Sequence, residues 1–547
     1  EGSVAVEYDR IGFDIVKESE VFQATDSSGT NQFYLNASNY SSGNDYFLYY
    51  PGSVAANLTL GPIQSAGISV KASTAYKVND FAGSRNGGAV VTDSSGAVPV
   101  VDRLSLGRDT AAGLFYLNGH IARLRYYRKR LPNETLQLLS EPDPTLNLQF
   151  ALNKSLTPVA GPAPSFSRAS TGTYFNASGV LTSASINTPR FDHVYSGGQW
   201  VSRGLLIEEQ RTNQILWCND YTNAAWTKSA VTVNTPQVVT PDGSTTAYKI
   251  AENNVSTVHF FYPAVALSVA ATTTFSCYAK AGERNWIRLG IDGSPAIFGF
   301  FNLTDGVVGT VTNGTARIQN VGNGWYRCSL TATAAATTTQ PSIGPCSADN
   351  VPSYAGTTGY GFYCWGVQLE SGAAFSTSLI PTTSASATRS ADVCQITGGD
   401  FSGFWNGVEG SFAVEYDRLG FDIAKESEVF QATNSSGTNQ FYLNASSYSS
   451  GNDYFLYYPG SVAASLVLGP VQPAGTLVKA STAYKVNDFA AARNGGDVVT
   501  DSSGSVPVVD RLNLGRDSAA GLFYLNGHIA RLRYYPTRLT NAQLQSL

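Results

Sequence analysis

The feature that most constrains this chain is a duplication. Residues 1–139 return as residues 409–547 without a gap, and only about two dozen of the 139 paired positions differ. Tyr8-Asp9-Arg10 comes back as Tyr416-Asp417-Arg418, and Gly119-His120-Ile121-Ala122-Arg123 as Gly527-His528-Ile529-Ala530-Arg531. Two near-identical modules around an unrelated middle suit a modular binding or structural protein, because an enzyme more often carries one copy of its active site. At 547 residues the chain is too long for a single domain, and three or four are expected. Near-identity that reflects recent duplication also makes the shared residues weak indicators of a site.

Charged residues are sparse at 14%, while Gly (53), Tyr (30) and Phe (27) are abundant, a balance that favours short strands and turns. Val4, Val6 and Tyr8 alternate with Ala5, Glu7 and Asp9. Further strands are predicted over residues 20–24, 32–36, 46–50, 56–60, 69–78 and 114–117. Turn clusters lie between them at 26–29, 41–45, 86–88 and 93–96. Asn118-Gly119 predicts a hairpin turn, and residues 133–139 a short closing helix. The fold class is all-β, antiparallel sandwich or jelly-roll modules with few short helices.

Lys77-Val78-Asn79-Asp80-Phe81, Arg85-Asn86-Gly87-Gly88, Leu106-Gly107-Arg108 and Gly119-His120-Ile121 resemble the concanavalin A-like (laminin G-like) sandwich found in bacteriophage fibre and other virion proteins. The resemblance covers most of both copies. It implies a carbohydrate- or protein-binding sandwich, sometimes holding calcium; no calcium-ligand pattern matches residue by residue, so no cofactor is expected. Residues 393–405, ending Asp400-Phe401-Ser402-Gly403-Phe404-Trp405, are expected to form an opening strand for the second copy. Nothing equivalent precedes Glu1, so residues 1–139 read as the end of an earlier repeating unit and the chain as a fragment.

Residues 140–213 read as a linker and hairpin-rich connector. Phe166-Ser167-Arg168-Ala169-Ser170-Thr171-Gly172, Pro189-Arg190-Phe191-Asp192-His193 and Arg203-Gly204-Leu205-Leu206-Ile207-Glu208-Glu209-Gln210-Arg211-Thr212-Asn213 resemble a connector of phage tail and head fibres. Its short hairpins hold little apolar mass, so it is expected to gain stability by intertwining with copies of itself, as in a homotrimer. Residues 214–392 resemble the jelly-roll carbohydrate-binding modules of phage fibres and spikes. The resemblance rests on Asn223-Ala224-Ala225-Trp226, Phe275-Ser276-Cys277-Tyr278, Gly322-Asn323-Gly324-Trp325-Tyr326-Arg327-Cys328 and Trp365-Gly366-Val367-Gln368-Leu369.

Sugar sites set aromatic faces against C–H surfaces and give hydroxyls to amides and carboxylates. Trp286, flanked by Arg284 and Asn285, is the candidate rim aromatic, whereas Trp226, Trp325 and Trp365 are expected in the core. In the repeat, the 41–45 loop beside Tyr40, Tyr46, Tyr49 and Tyr50 offers Asn44, Asp45 and Tyr49, with counterparts Asn452, Asp453 and Tyr457 near Tyr448. His193 beside Asp192 is expected to play a structural part. Glu208 and Glu209 face opposite sides of a strand and cannot flank one glycosidic bond.

Four histidines and no phosphate loop, Gly-x-Ser-x-Gly elbow or His-Glu-x-x-His motif leave catalysis without a candidate. A net charge of −5 without basic runs argues against nucleic acid, and no apolar stretch reaches membrane-spanning length. Six cysteines in the middle third lack Cys-x-x-Cys spacing; buried free thiols are favoured over a disulfide set. The expected function is a non-enzymatic virion fibre or spike subunit that adheres to host-surface glycans. The alternative is a head-fibre or capsid-decorating protein that packs against other virion proteins, and a bacterial surface adhesin is a third reading.

Overall fold

The computed structural model describes residues 1–12, 18–37, 43–64, 66–110, 115–263, 265, 272–291, 296–333, 340–422, 425–445, 451–461, 463–518 and 523–547. Tyr40, Tyr448, residues 41 and 42 of the predicted turn and the first residue of the 114–117 strand lie outside the described residues. The chain divides into two compact units, Glu1–Asp143 with Thr540–Ser546, and Pro144–Leu539 with Leu547. Among the described residues every regular element but four is a strand, and the sheets are antiparallel.

The first unit is a two-sheet sandwich. One sheet runs Ile121–Tyr127, Gly2–Tyr8, Val70–Lys77, Asp80–Arg85, Val91–Asp93; the other runs Ala56–Pro62, Asn44–Pro51, Asn31–Ala37, Glu20–Thr25, Arg103–Leu106. The alternation seen in the sequence points Val4, Val6 and Tyr8 into a core shared with Phe22, Phe33, Leu35, Phe47, Tyr49 and Phe81. The predicted hairpin at Asn118-Gly119 does not form. Tyr116 bridges Glu20 in one sheet, while Ile121–Tyr127 pairs with Gly2–Tyr8 in the other. The segment crosses between sheets, and Gly119 is needed because a Cβ there would sit 2.0 Å from the Asp9 carbonyl oxygen.

The second unit holds the jelly roll, the second sandwich and the connector. The jelly roll packs two six-stranded sheets face to face over Ile250, Phe275, Ile287, Leu289, Phe362 and Leu369. Trp226, Trp325 and Trp365 are all 2% exposed. The cysteines are six buried free thiols.

The second sandwich repeats the first with a broader base, because the connector is built into it. Gln199–Ile207 pairs with the first residues of Gly527–Tyr535, and Leu146–Leu148 pairs further along the same strand. Ser165–Ser167 pairs with Val393–Thr397, which in turn pairs with Arg511–Leu514. The connector therefore gains its missing apolar partners from its own chain: Leu146, Leu148, Phe150, Leu205 and Ile207 all join the second sandwich's core.

The predicted opening strand over 393–405 is half right. Val393–Thr397 is a strand, but Gly398–Phe404 is a helix that buries Phe401 and Phe404. The i, i+3, i+4 spacing of Phe401, Phe404 and Trp405 is a helical signature, which a strand would split across two faces.

Candidate functional site

The structure takes most of the repeat's candidate residues into the interior. Asp45 is 0% exposed, with Arg85 Nη1 at 2.6 Å and Arg10 Nη1 at 3.7 Å. Burial pushes its carboxyl up, and the two guanidiniums pull it part of the way back. Tyr49 is also 0% exposed. Its ring stacks on Phe33 at 4.5 Å and its hydroxyl lies 2.6 Å from Thr74 Oγ1. Asp453 and Tyr457 repeat this arrangement with Arg493, Arg418 and Phe441. These four residues are corrected from ligand candidates to links between the sheets. The face carrying Phe47 and Tyr49 turned inward, and the buried carboxylate followed its arginines. Asn44 and Asn452 open their strands in half-buried positions.

Of the jelly-roll trio, Arg284 is committed internally. It grips Glu252 through Nη2 at 2.6 Å and Nε at 3.1 Å, and lies 4.9 Å from the Tyr354 ring centroid. Glu252 also accepts from the Thr357 N–H at 2.6 Å. Although burial opposes its charge, these donors hold the carboxyl below its ordinary range. Arg284 is thus held in place by Glu252 and Tyr354. Asn285 is exposed and Trp286 half-buried, its ring lying over Gly309, where a Cβ would come within 2.6 Å of it. Asp349 sits at the same place, held by the Thr310 N–H at 2.8 Å.

Sequence reasoning missed how many charges the connector buries. Arg190, 0% exposed, donates to Glu208 at 2.6 Å and Asp392 at 2.5 Å; Arg168 reaches Asp392 at 3.1 Å and Arg389 reaches Glu208 at 3.3 Å. Burial raises Glu208, but Arg389, Arg190 and the Ser378 donors outweigh it and hold the carboxyl far below its ordinary range. Glu209 turns the other way, to Arg211, Lys425 and Asn526, as the strand period requires. Beside this network, His193, Arg317, Arg327 and Tyr278 help line a cavity of about 60 Å³, where the His193 Nε2 is unpaired; the volume suits about two ordered waters.

A second buried cluster joins the connector to the repeat. His528 donates Nδ1 to Asp417 at 2.6 Å and Nε2 faces Asp192 at 3.0 Å, while Asp192 accepts the Phe175 N–H at 2.6 Å. Burial opposes the imidazolium, yet the two carboxylates prevail and raise the His528 pKa to about 10. Among the described residues His120 in the first copy pairs with Asp9 and stays 72% exposed, so local sequence does not decide this cluster. Among the described residues no three His, Cys, Asp or Glu side chains are grouped to hold a metal ion, and no helix is long and apolar enough to cross a membrane.

A groove of about 440 Å³ lies between a connector turn and the jelly roll. Asn176 builds the turn, its Oδ1 accepting the Ser178 and Val180 N–H groups at 2.9 and 3.0 Å. Gly179, at φ +74°, allows Trp200 to pass where a Cβ would strike its ring. The Leu181 N–H then ties the turn to the Pro241 carbonyl at 2.8 Å. Val180, Val238, Val239 and Pro241 give apolar walls above Trp325, whose Nε1–H is used on the Val239 carbonyl. Gln237, Lys280 and Asn323 supply amide and ammonium groups, with Lys280 Nζ braced on the Asn323 carbonyl at 2.7 Å. Apolar walls with a few convergent polar groups suit a hydroxyl-rich ligand with C–H faces.

No protein-family profile matches the chain, and no curated protein does. Among solved structures, the Ruminococcus gnavus IT-sialidase CBM40 bound to α2,3-sialyllactose is 14% identical at a TM-score of 0.22, covering 26% of this chain and 83% of that one. Mouse laminin α1 domains LG4-5 are 7% identical at a TM-score of 0.20, covering 99% and 86%. The leech intramolecular trans-sialidase complexed with 2,7-anhydro-Neu5Ac is 10% identical at a TM-score of 0.22, covering 93% and 76%. At such scores these similarities carry no argument about function.

Proposed function

We propose that this chain is a non-enzymatic subunit of a bacteriophage fibre or spike, and that the groove between the 176–180 turn and the jelly roll takes a host-surface glycan. The groove carries the reading: it combines apolar walls with the Gln237, Lys280 and Asn323 side chains in a space of about 440 Å³. The sequence resemblance of the connector and modules to phage fibre segments supports the virion setting, with homotrimers and other virion proteins as partners. A single groove of this kind binds weakly, and presentation on a multimer raises avidity by about 10² to 10⁴.

The test is binding of the purified chain to host-surface polysaccharides by calorimetry and glycan array. Lys280→Ala combined with Asn323→Ala is expected to weaken binding about tenfold or more, while Trp286→Ala leaves it unchanged. Loss of binding on Trp286→Ala alone would move the site to that face. No binding to any host polysaccharide would favour the head-fibre or decoration role, which the Arg168–Arg190–Arg389 network supports by making the connector motif a rigid joint. Immunogold labelling of particles separates head from tail.

A further inference from the structure

The cavity of about 60 Å³ beside the arginine network holds positive charge that the network does not use. Two carboxylates line it, and both are spent elsewhere. Glu208 is held by Arg190 and Arg389, and Asp192 by His528 and the Phe175 N–H. Two guanidiniums also line it, Arg317 and Arg327, and among the described residues neither forms an ion pair. Arg327 lies over the Tyr278 ring at 5.2 Å and reaches Ser276 Oγ only at 3.4 Å, while its Nε is buried without a partner. Arg317 gives its Nη1 to the Leu419 carbonyl. Burial and the charge of Arg327 lower the Arg317 pKa against the pull of Asp417, which His528 already holds.

His193 supplies the complementary orphan. It is 3% exposed, and its Nδ1 lies 3.1 Å from the Phe175 carbonyl oxygen, which can only accept. The proton of the neutral ring therefore sits on Nδ1, and Nε2 keeps a lone pair that no donor meets. A buried donor and a buried acceptor are thus both unanswered in one cavity, beside two uncompensated cations. Water answers either atom but leaves the charge. A fully deprotonated anion answers the charge but sets its own lone pairs against Nε2. A group that carries both an anionic oxygen and an O–H answers all of them.

We infer that this cavity is a binding site for a hydrogen phosphate group, its anionic oxygens accepting from Arg317 and Arg327 and its O–H donating to His193 Nε2. The planar guanidinium fork matches phosphate oxygens, and one tetrahedral oxyanion takes the place of about two waters. The site is distinct from the groove above Trp325. Only Val321 lines both, and the assignment does not rest on glycan binding.

The experiment is calorimetric titration of the full chain with inorganic phosphate, after dialysis into chloride buffer at neutral pH. One phosphate is expected to bind per chain. Sulfate, which has the same shape but no proton at neutral pH, is expected to bind about tenfold more weakly or worse. Arg317→Gln and Arg327→Gln are each expected to weaken phosphate binding about tenfold or more. Arg317→Lys, which keeps the charge but not the fork, is expected to recover part of it. The urea midpoint of each variant in chloride buffer, read by tryptophan fluorescence, reports whether it is folded. Should a variant not fold, the sulfate comparison on the wild-type chain still decides. A titration that does not saturate leaves the cavity to water and overturns the assignment. So does phosphate binding that both Gln variants leave unchanged, and so does sulfate binding as tight as phosphate, because His193 would then be a donor. Competition by glucose 6-phosphate supports the site with a phosphomonoester as its occupant, and phosphate binding without that competition gives it to free phosphate.

Discussion

His528 makes the pH dependence of the larger unit predictable. Its imidazole is 1% exposed between Asp417 and Asp192, with Arg203 Nε 3.7 Å from Asp417 on the far side. The folded pKa is raised to about 10 from the ordinary 6.5, so the folded state holds a proton that the unfolded chain releases. Stability from this group is therefore fully present below about pH 6.5 and is lost as pH rises toward 10. At about 1.4 kcal/mol per pH unit, the loss from pH 7 to 8.5 is about 2 kcal/mol, and the ceiling for the whole window is roughly 5 kcal/mol. Above about pH 8.5 unfolded cysteines also release protons, so the lower interval isolates the histidine. All seven tryptophans lie in Pro144–Leu539, which makes their fluorescence during urea unfolding a specific reporter of this unit. Wild type is expected to lose stability across pH 7 to 8.5, and His528→Gln to show a flat profile at lower overall stability. A wild-type midpoint that does not move, or a His528→Gln chain that keeps the wild-type slope, refutes the reasoning.

Three further outcomes are expected. Glu208→Gln leaves Arg190 and Arg389 facing a neutral amide in a fully buried site, and should destabilise the larger unit by about 3–5 kcal/mol in the same tryptophan assay. Asp453→Asn, which removes the charge between Arg418 and Arg493, should cost about 3 kcal/mol while leaving polysaccharide affinity unchanged, because the residue is interior. The six cysteines should resist a thiol-alkylating reagent in the folded chain and all react in denaturant, counted by intact mass. Burial hides them and raises Cys328, and a hydrogen bond with Cys364 together with burial raises Cys277, suppressing the thiolate.

Much of the architecture was legible from the sequence because strand alternation is a local property. Five of the first copy's predicted strands lie within a residue or two of the observed ones, and Val4, Val6 and Tyr8 point inward as the period of two requires. Two local readings failed for identifiable reasons. Asn118-Gly119 looked like a hairpin turn, but its glycine answers a close approach by Asp9 from another strand. Residues 401–405 carried helical spacing within a stretch read as extended. The candidate sites fared worse. Asp45 and Tyr49 sit near polar loop residues in sequence, yet their partners Arg85, Thr74 and Phe33 come from other strands. The groove above Trp325 joins residues 178–180 to residues 237–241 and 321–325, a meeting that no single stretch announces.

The sequence alone determined the all-β class, the duplicated module and the alternation that fills each core, since these depend on side-chain period and local turn chemistry. Only the tertiary structure decided the environment of the duplicated residues. His120 and His528 share the same flanking sequence, but one is mostly exposed and the other clasped by two carboxylates. Leu104 and Leu512 occupy equivalent strands, one bare and one covered. The difference comes from the connector and residues 393–405, which close only the second sandwich; burial and electrostatics depend on what packs against a residue from elsewhere in the chain, and local sequence does not encode that.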